Sequence, residues 1–329
     1  MLEDISRERL AFLPTPLHRM DNLAESLGFS SLWIKRDDLT GPGFGGNKTR
    51  KLEFVLADAL ESGCDTVVTV GATGSNSCRQ TAEAAARLGL RCILLLGGEQ
   101  PEQYEGNLLI SNSMGAELKF YPDDNLFELN KRLDDVCETL RELGLAPYAV
   151  PAGASTPLGV LGYVLAMEEL KEQMENWDFH AQQIILASGT GGTLAGMLVG
   201  AEATGLDVEL IAVSAVDEQK PQMTRVQELV TRVRSLYPEI PSIGNPQVTI
   251  DDSFLGEGYG VLDSATRSAI QMFAKLEGIM LDPVYTGKAG LALVRNALAG
   301  EIDLKRPTLF WHTGGQPALF KYSKSLTEE

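Results

Sequence analysis

The residues GPGFGGNKTRK, Gly41 to Lys51, place four glycines and a proline in front of a lysine and a threonine. A phosphate-binding P-loop needs glycine, four residues, glycine, then lysine and Ser/Thr directly, so that loop amides and lysine converge on the same phosphates. Gly41 and Gly46 have that separation, but Asn47 intervenes before Lys48. Three further polar, glycine-rich stretches each follow an apolar run: VGATGSNS (Val70–Ser77), SGTGGT (Ser188–Thr193) and HTGG (His312–Gly315). In SGTGGTLAG a strand pattern ends, glycines free the backbone amides and a helix pattern starts at once, which is the arrangement of an anion site at a helix N-terminus. Taken singly, such a loop is a tight turn that needs glycine for positive φ. Three of them with a glycine-flanked lysine point to a phosphorylated cofactor. The glycines of SGTGGTLAG lack the register of a dinucleotide fingerprint. A lysine in a partly desolvated site loses its proton readily and can attack an aldehyde, and pyridoxal phosphate carries both an aldehyde and a phosphate.

The elements that must position these loops alternate along the chain. TVVTV (Thr66–Val70), RCILLL (Arg91–Leu96), ELKFY, PYAV (Pro147–Val150), QIILAS (Gln183–Ser188), ELIAVSA (Glu209–Ala215) and TLFWHTGG (Thr308–Gly315) are short apolar runs separated by helical patterns. That rhythm predicts an α/β chain with two open, twisted, mostly parallel sheets flanked by helices and the ligand loops at strand C-termini. We expect a large domain from residues 1–48 and 157–329, a small α/β domain inserted at 49–156, and the cofactor in the cleft between them. PAGASTPLG (Pro151–Gly159) has hinge composition.

Composition narrows the function. The chain has 329 residues, 44% of them apolar, and a formal charge of -17. That charge argues against a nucleic-acid or anionic-membrane surface. The acidic, mixed N-terminus reads as neither signal nor transit peptide, and the four cysteines, Cys64, Cys78, Cys92 and Cys137, have the spacing of reduced core thiols. The expected compartment is the cytoplasm. His18, His180 and His312 are too dispersed for a metal site, although His312 enters a glycine loop. Arg36–Asp38 reads as a solvated or ion-paired turn after the strand LWIK.

Five separated motifs, KRDDLTGPGFGGNKTRKLEF, GATGSNSCRQ, SGTGGTLAG, LDPVYTGKAG and HTGGQPALF, together resemble the family that contains D-cysteine desulfhydrase and 1-aminocyclopropane-1-carboxylate (ACC) deaminase. These are pyridoxal 5'-phosphate lyases of the tryptophan-synthase-β-like fold, fold type II. The resemblance implies that Lys48 is the Schiff-base lysine, that Lys51 lies near the cofactor phosphate, and that Gly189, Thr190, Gly191, Gly192 and Thr193 cradle it. It assigns Ser75, Asn76 and Ser77 to the substrate, with Asn76 also near the cofactor, and Tyr259 and Tyr285 to the active site beside Ser75. A lone tyrosine is more often a packing residue and a lone serine a turn former, so neither stands out without the resemblance. It also implies a homodimer.

Within the family, Thr286 and Thr313 discriminate. ACC deaminases typically have glutamate and leucine there, and the desulfhydrases small hydroxyl residues. A carboxylate beside the pyridine nitrogen would favour its protonated form and a strong electron sink. Opening a cyclopropane needs that sink, whereas expelling a good β-leaving group does not. The expected reaction is therefore β-elimination on a small amino acid, D-cysteine giving pyruvate, ammonia and hydrogen sulfide. ACC deamination, or a lyase reaction on another β-substituted amino acid such as cysteate, is the alternative. A P-loop NTPase is disfavoured by the register of Lys48, and a non-catalytic binder by its presence. Gly74 and Ser77 are smaller than the family's usual residues, which implies room for a bulkier substrate.

Overall fold

The computed structural model describes residues 2–327. The strands are β1 (Leu17–Arg19), β2 (Leu32–Arg36), β3 (Thr66–Ala72), β4 (Arg91–Gly97), β5 (Glu117–Tyr121), β6 (Pro147–Val150), β7 (Gln183–Ser188), β8 (Glu209–Ser214), β9 (Gln247–Asp251) and β10 (Thr308–His312). The helices are α1 (Asp21–Leu27), α2 (Lys48–Glu61), α3 (Asn76–Leu88), α4 (Gly106–Ser113), α5 (Leu126–Glu142), α6 (Pro157–Asn176), α7 (Gly192–Thr204), α8 (Gln219–Leu236), α9 (Ser264–Glu277), α10 (Thr286–Ala299), α11 (Ala318–Lys321) and α12 (Ser323–Thr327).

The strands form two sheets, ordered β1-β2-β10-β7-β8-β9 and β5-β4-β3-β6. All pairings are parallel except β1 with β2, the mostly parallel α/β architecture expected from the alternation. Central strands such as β7 and β10 are buried at every position, which is why they read as unbroken apolar runs. Each fully buried large side chain there, Phe310 and Trp311 among them, contributes about 1.5–3 kcal/mol. The strand at the far edge, β9, has one buried residue, Ile250, among exposed and partly exposed ones, and β1 is three residues long. Neither has the continuous apolar run that marks β3, β4 and β7.

The proposed division at Thr49 and Thr156 falls in the first turn of α2 and at the N-cap of α6, where the Thr156 side chain accepts from Gly159 N–H. Helix α2 faces both cores: Phe54 packs with the large-sheet cluster, and Leu52, Val55 and Leu56 with Val67 and Val150 of the small one. Helix α7 is apolar all round, the signature of a buried helix. It seats on α6 through glycine notches: a Cβ on Gly196 would lie 2.4 Å from Tyr163, and one on Gly200 2.8 Å from Met167. This packing fixes where the α7 N-terminus points. No helix among the described residues is long and apolar enough to cross a membrane.

Candidate active site

The loop entering α2 is built from left-handed residues: Gly41, Gly43, Phe44, Gly45 and Gly46 have φ of 50°, 53°, 75°, 58° and 128°. At Gly45 a side chain is excluded outright, since its Cβ would lie 2.5 Å from the Asp38 carbonyl oxygen. The loop delivers Lys48 as the first residue of α2. Gln80 of α3 caps that helix, its Oε1 accepting from the amides of Lys48 and Thr49 at 2.9 and 3.1 Å. Lys48 Nζ donates to Asn47 Oδ1 (3.1 Å), and Asn47 Nδ2 donates to Thr193 Oγ1 (2.9 Å). The residue that spoils a P-loop thus ties the lysine to α7. Burial lowers the Lys48 ammonium to about 8, with Asp282 opposing the shift, so a reactive amine is accessible near neutral pH.

Across from Lys48, β7 ends at Ser188, and α7 begins behind Gly191, which has φ +85° and leaves the first-turn amides without a side-chain cap. Amides free at a helix N-terminus attract an anion. Lys51 lies beneath this turn, fully buried, its Nζ donating to Gly153 O (3.0 Å) and Ser155 Oγ (3.3 Å). Burial, then the neighbouring charge of Lys48, holds its pKa well below the usual lysine range. A Cβ on Gly192 would stand 2.5 Å from Lys51 Nζ and 2.4 Å from Ser155 Oγ. Ser155 Oγ in turn meets Thr190 Oγ1 at 2.7 Å.

The remaining wall comes from the N-terminus of α3 and the turn before α10. Ser75 caps α3, accepting from Cys78 N–H at 3.2 Å. Asn76 Oδ1 accepts from Asn107 Nδ2 (2.8 Å), and the buried Ser77 Oγ has no hydrogen-bond partner. The hydroxyls of Tyr259 and Tyr285 meet at 3.0 Å with their rings edge to face. Burial pushes the Tyr259 phenol up to about 12 and holds that of Tyr285 well above its usual range, so both remain protonated donors at neutral pH.

Lys48, Ser75, Asn76, Ser77, Gly189, Thr190, Gly191, Thr193, Tyr259, Tyr285 and Thr313 line a single cavity of about 810 Å³. Three expected residues stand off its wall. Lys51 and Gly192 sit behind the α7 turn. Thr286 is wholly buried, with its hydroxyl donating to Asp282 Oδ1 (2.7 Å) and accepting from Asp282 N–H (2.8 Å).

Asp282 was not singled out by the sequence reading, yet it organises the turn before α10. Its Oδ1 also accepts from Thr286 N–H, and its Oδ2 from the amides of Val284 and Tyr285. The available signal was an aspartate two to four residues ahead of a helix start in LDPVYTG, a side chain suited to capturing first-turn amides. His312 does not line the cavity. Its Nε2–H donates to Met280 O (3.0 Å) while Nδ1 accepts from Gly314 N–H (3.3 Å); burial lowers its pKa, leaving a neutral structural imidazole. The Arg36–Asp38 turn is ion-paired but not solvated: Asp37 and Asp38 are both buried, Asp37 against Arg50 (2.8 Å) and Asp38 against Arg36 (2.7 Å).

The chemistry of these donors fits pyridoxal phosphate. An amine on one wall, uncapped helix amides over a buried lysine on another, and two unpartnered buried hydroxyls, Ser77 and Ser188, ask for a group with a carbonyl, a phosphate and further polar atoms. The comparisons agree. Residues 9–314 match the family described as pyridoxal-phosphate dependent enzyme. A protein of Pyrococcus abyssi with the provisional name 1-aminocyclopropane-1-carboxylate deaminase is 38% identical over 322 residues, 97% of this chain and 95% of that one. D-cysteine desulfhydrase of Salmonella schwarzengrund is 40% identical over 324 residues, 96% of both chains. The crystal structure of an ACC deaminase homologue superposes with a TM-score of 0.90 at 37% identity, covering 99% of this chain and 96% of that one. A lysine with a lowered pKa, uncapped helix amides and near-full-length similarity thus converge: the chain belongs to the pyridoxal-phosphate-dependent enzymes, in the family of D-cysteine desulfhydrase and ACC deaminase.

Proposed function

We propose that this enzyme is a carbon–sulfur lyase that converts D-cysteine and water to pyruvate, ammonia and hydrogen sulfide. The observation that carries this reading is a single cavity wall joining the Lys48 amine, the Ser75–Ser77 turn and two protonated tyrosines. When bound, pyridoxal phosphate supplies an aldehyde that captures the amino acid's nitrogen and a ring that withdraws electrons from its α-carbon. Lys48 holds the cofactor, and Gly189–Thr193 with Lys51 beneath receive its phosphate. The freed Lys48 amine removes the α-proton as general base. The amides at the start of α3, with Ser75, Asn76 and Ser77, hold the substrate carboxylate. Tyr259 and Tyr285 remain phenols at the working pH and give a proton to the departing sulfur.

Asp282 supports the choice of elimination over ring opening. Each of its oxygens already accepts two hydrogen bonds, so it presents no free carboxylate lone pair to a ring nitrogen. We assign the ring's neutral partner to the hydroxyl of Thr313, which lines the cavity, while Thr286 keeps Asp282 saturated. A β-substituent larger than a thiol is a second reading, with cysteate one example. Ser77 Oγ is buried at the cavity wall without a hydrogen-bond partner, so the carboxylate side has a spare donor for such a substituent.

The test is a panel of D- and L-cysteine, D- and L-serine, β-chloroalanine, cysteate and ACC, assayed for 2-oxo acid and ammonia. D-Cysteine is expected to give pyruvate and ACC little 2-oxobutanoate. If ACC is the best substrate, the elimination reading fails.

Gly192→Ala, whose Cβ would push Lys51 and Ser155 from beneath the α7 turn, is expected to weaken the apoenzyme's affinity for pyridoxal phosphate by about five- to 150-fold, the equivalent of about 1–3 kcal/mol of overpacking strain borne by the bound state. Fluorescence titration with the cofactor checks this, and unchanged affinity would remove Lys51 from the phosphate site. We further propose a cytoplasmic homodimer. All four cysteines are free thiols, which suits a reducing compartment. Light scattering should report twice the 35.6 kDa chain mass; a monomer at working concentration would contradict the dimer.

A further inference from the structure

The loop carrying Lys48 and the turn carrying Ser75 and Asn76 belong to different parts of the chain, yet one buried polar network holds both. Arg79 lies one turn into α3, fully buried. Its Nη1 donates to Gly43 O at 2.6 Å and its Nη2 to Gly45 O at 2.7 Å, both in the left-handed loop before Lys48. Its Nε donates to Asn107 Oδ1 at 2.7 Å. Asn107, the second residue of α4 and also buried, donates from Nδ2 to Gly74 O (3.0 Å) and Asn76 Oδ1 (2.8 Å). Glu83 completes the group as a salt-bridge partner of Arg79. A Cβ on Gly43 would stand 2.4 Å from the Glu83 carboxylate, so the loop is moulded directly on this cluster.

The loop needs such a clamp. A run of left-handed residues forms no ladder, and its shape depends on what grips its carbonyls from outside. The planar guanidinium is suited to that task, because its fixed fork reaches two carbonyls and an amide at once, which a lysine ammonium cannot do in the same geometry. None of these side chains lines the cavity, so neither Arg79 nor Asn107 is a catalytic residue.

We propose that Arg79 and Asn107 form a positioning unit that sets the distance between the Lys48 amine and the Ser75–Asn76 turn, and so the alignment of the base with the substrate's α-carbon. The proposal rests on the assignment of Lys48 and the Ser75–Ser77 turn made above. Misplacement of reacting groups by about 1 Å costs on the order of 10²-fold in rate. The unit therefore acts on kcat, whereas residues that only bind the cofactor act on its affinity.

The experiment compares wild type with Arg79→Met, Arg79→Lys, Asn107→Leu and the Arg79→Met/Asn107→Leu double variant. Hydrogen–deuterium exchange is followed in peptides covering residues 41–48 and 74–78, without substrate, in apoenzyme and holoenzyme. kcat and KM are measured with the best amino acid of the panel. Arg79→Met is expected to speed exchange in 41–48, and Asn107→Leu in both segments, while β3 and β4 keep wild-type protection. kcat should fall by about 10²-fold and KM change little. Arg79→Lys, which keeps the charge but not the fork, should recover the melting temperature without recovering kcat. Because the two residues act as one unit, the double variant should lose no more than the worse single one.

Unchanged exchange in both segments overturns the proposal, and so does a fall in kcat that exchange does not accompany. Strictly additive losses also overturn it. If Arg79→Met does not fold, Asn107→Leu decides by the same exchange and kcat criteria. Exchange needs no turnover, so loosened loops in a protein that rejects the whole panel would sink the proposed reaction and leave the clamp standing.

Discussion

Lys48→Ala is expected to lower kcat by about 10²–10⁴-fold, the range for removal of a general base, and to abolish covalent retention of the cofactor. The side chain makes one hydrogen bond, to Asn47, and is half-buried, so the folded protein should persist with a stability change within about 1 kcal/mol. Lys48→Arg keeps the positive charge but cannot deprotonate near neutral pH, and is expected to be as inactive as the alanine variant. Active Lys48→Arg enzyme would mean that the lysine serves as a charge alone. The pH dependence separates these cases again. Burial lowers the Lys48 pKa from 10.5 to about 8, so acylation of apoenzyme at this residue by a limiting reagent should rise with pH to half-maximum near 8. A midpoint near 10.5 would show an ordinary exposed lysine.

Asp37→Ala should destabilise the protein by about 3–5 kcal/mol, the cost of breaking a buried pair from one side. The Asp37 carboxylate accepts from Arg50 Nε and Nη2 (3.0 and 2.8 Å), Tyr163 OH (2.6 Å), Trp311 Nε1 (2.9 Å) and Thr15 Oγ1 (2.9 Å). Removing it leaves the buried Arg50 with Glu169 as its remaining carboxylate partner. Burial alone would raise the Asp37 pKa, but the charge and hydrogen bonds of Arg50, with help from Lys35 and Tyr163, overcome it and hold the group at about 2. Its folded pKa thus lies below its unfolded value of 3.8. The linked stabilisation, about 2 kcal/mol, is fully present above pH 4 and is lost as pH falls from about 4 through 2. Urea unfolding at pH 7 and pH 3 measures both effects. A variant whose unfolding midpoint matches wild type at pH 7 would show that the network contributes nothing net.

Much of the architecture was legible in the sequence because parallel strands buried on both faces advertise themselves as apolar runs. QIILAS and PYAV coincide with β7 and β6. What escaped has equally physical reasons. The edge strand β9 is amphipathic, and β1 owes its place to an antiparallel pairing three residues long. The glycine loops and Lys48 were legible because their chemistry is local. Arg79, Asn107 and Asp282 were not, since each works through backbone carbonyls or amides that only the folded chain brings within reach. Thr286 illustrates the same limit from the other side: its identity was read from sequence, but its bond to Asp282 depends on the turn of α10. The Arg36–Asp38 turn read as solvated or ion-paired, and only the second held; its burial was hidden because nothing in its own sequence announces Arg50, Tyr163 and Trp311.

The most direct measurement of the account is where the cofactor is attached. Enzyme loaded with pyridoxal phosphate is treated with sodium borohydride, digested and mapped by mass spectrometry. The visible absorbance of the bound cofactor should disappear on reduction, and the reduced pyridoxyl adduct should lie on the peptide carrying Lys48. An adduct on Lys51 or any other lysine, or a protein that takes up no cofactor, would contradict it.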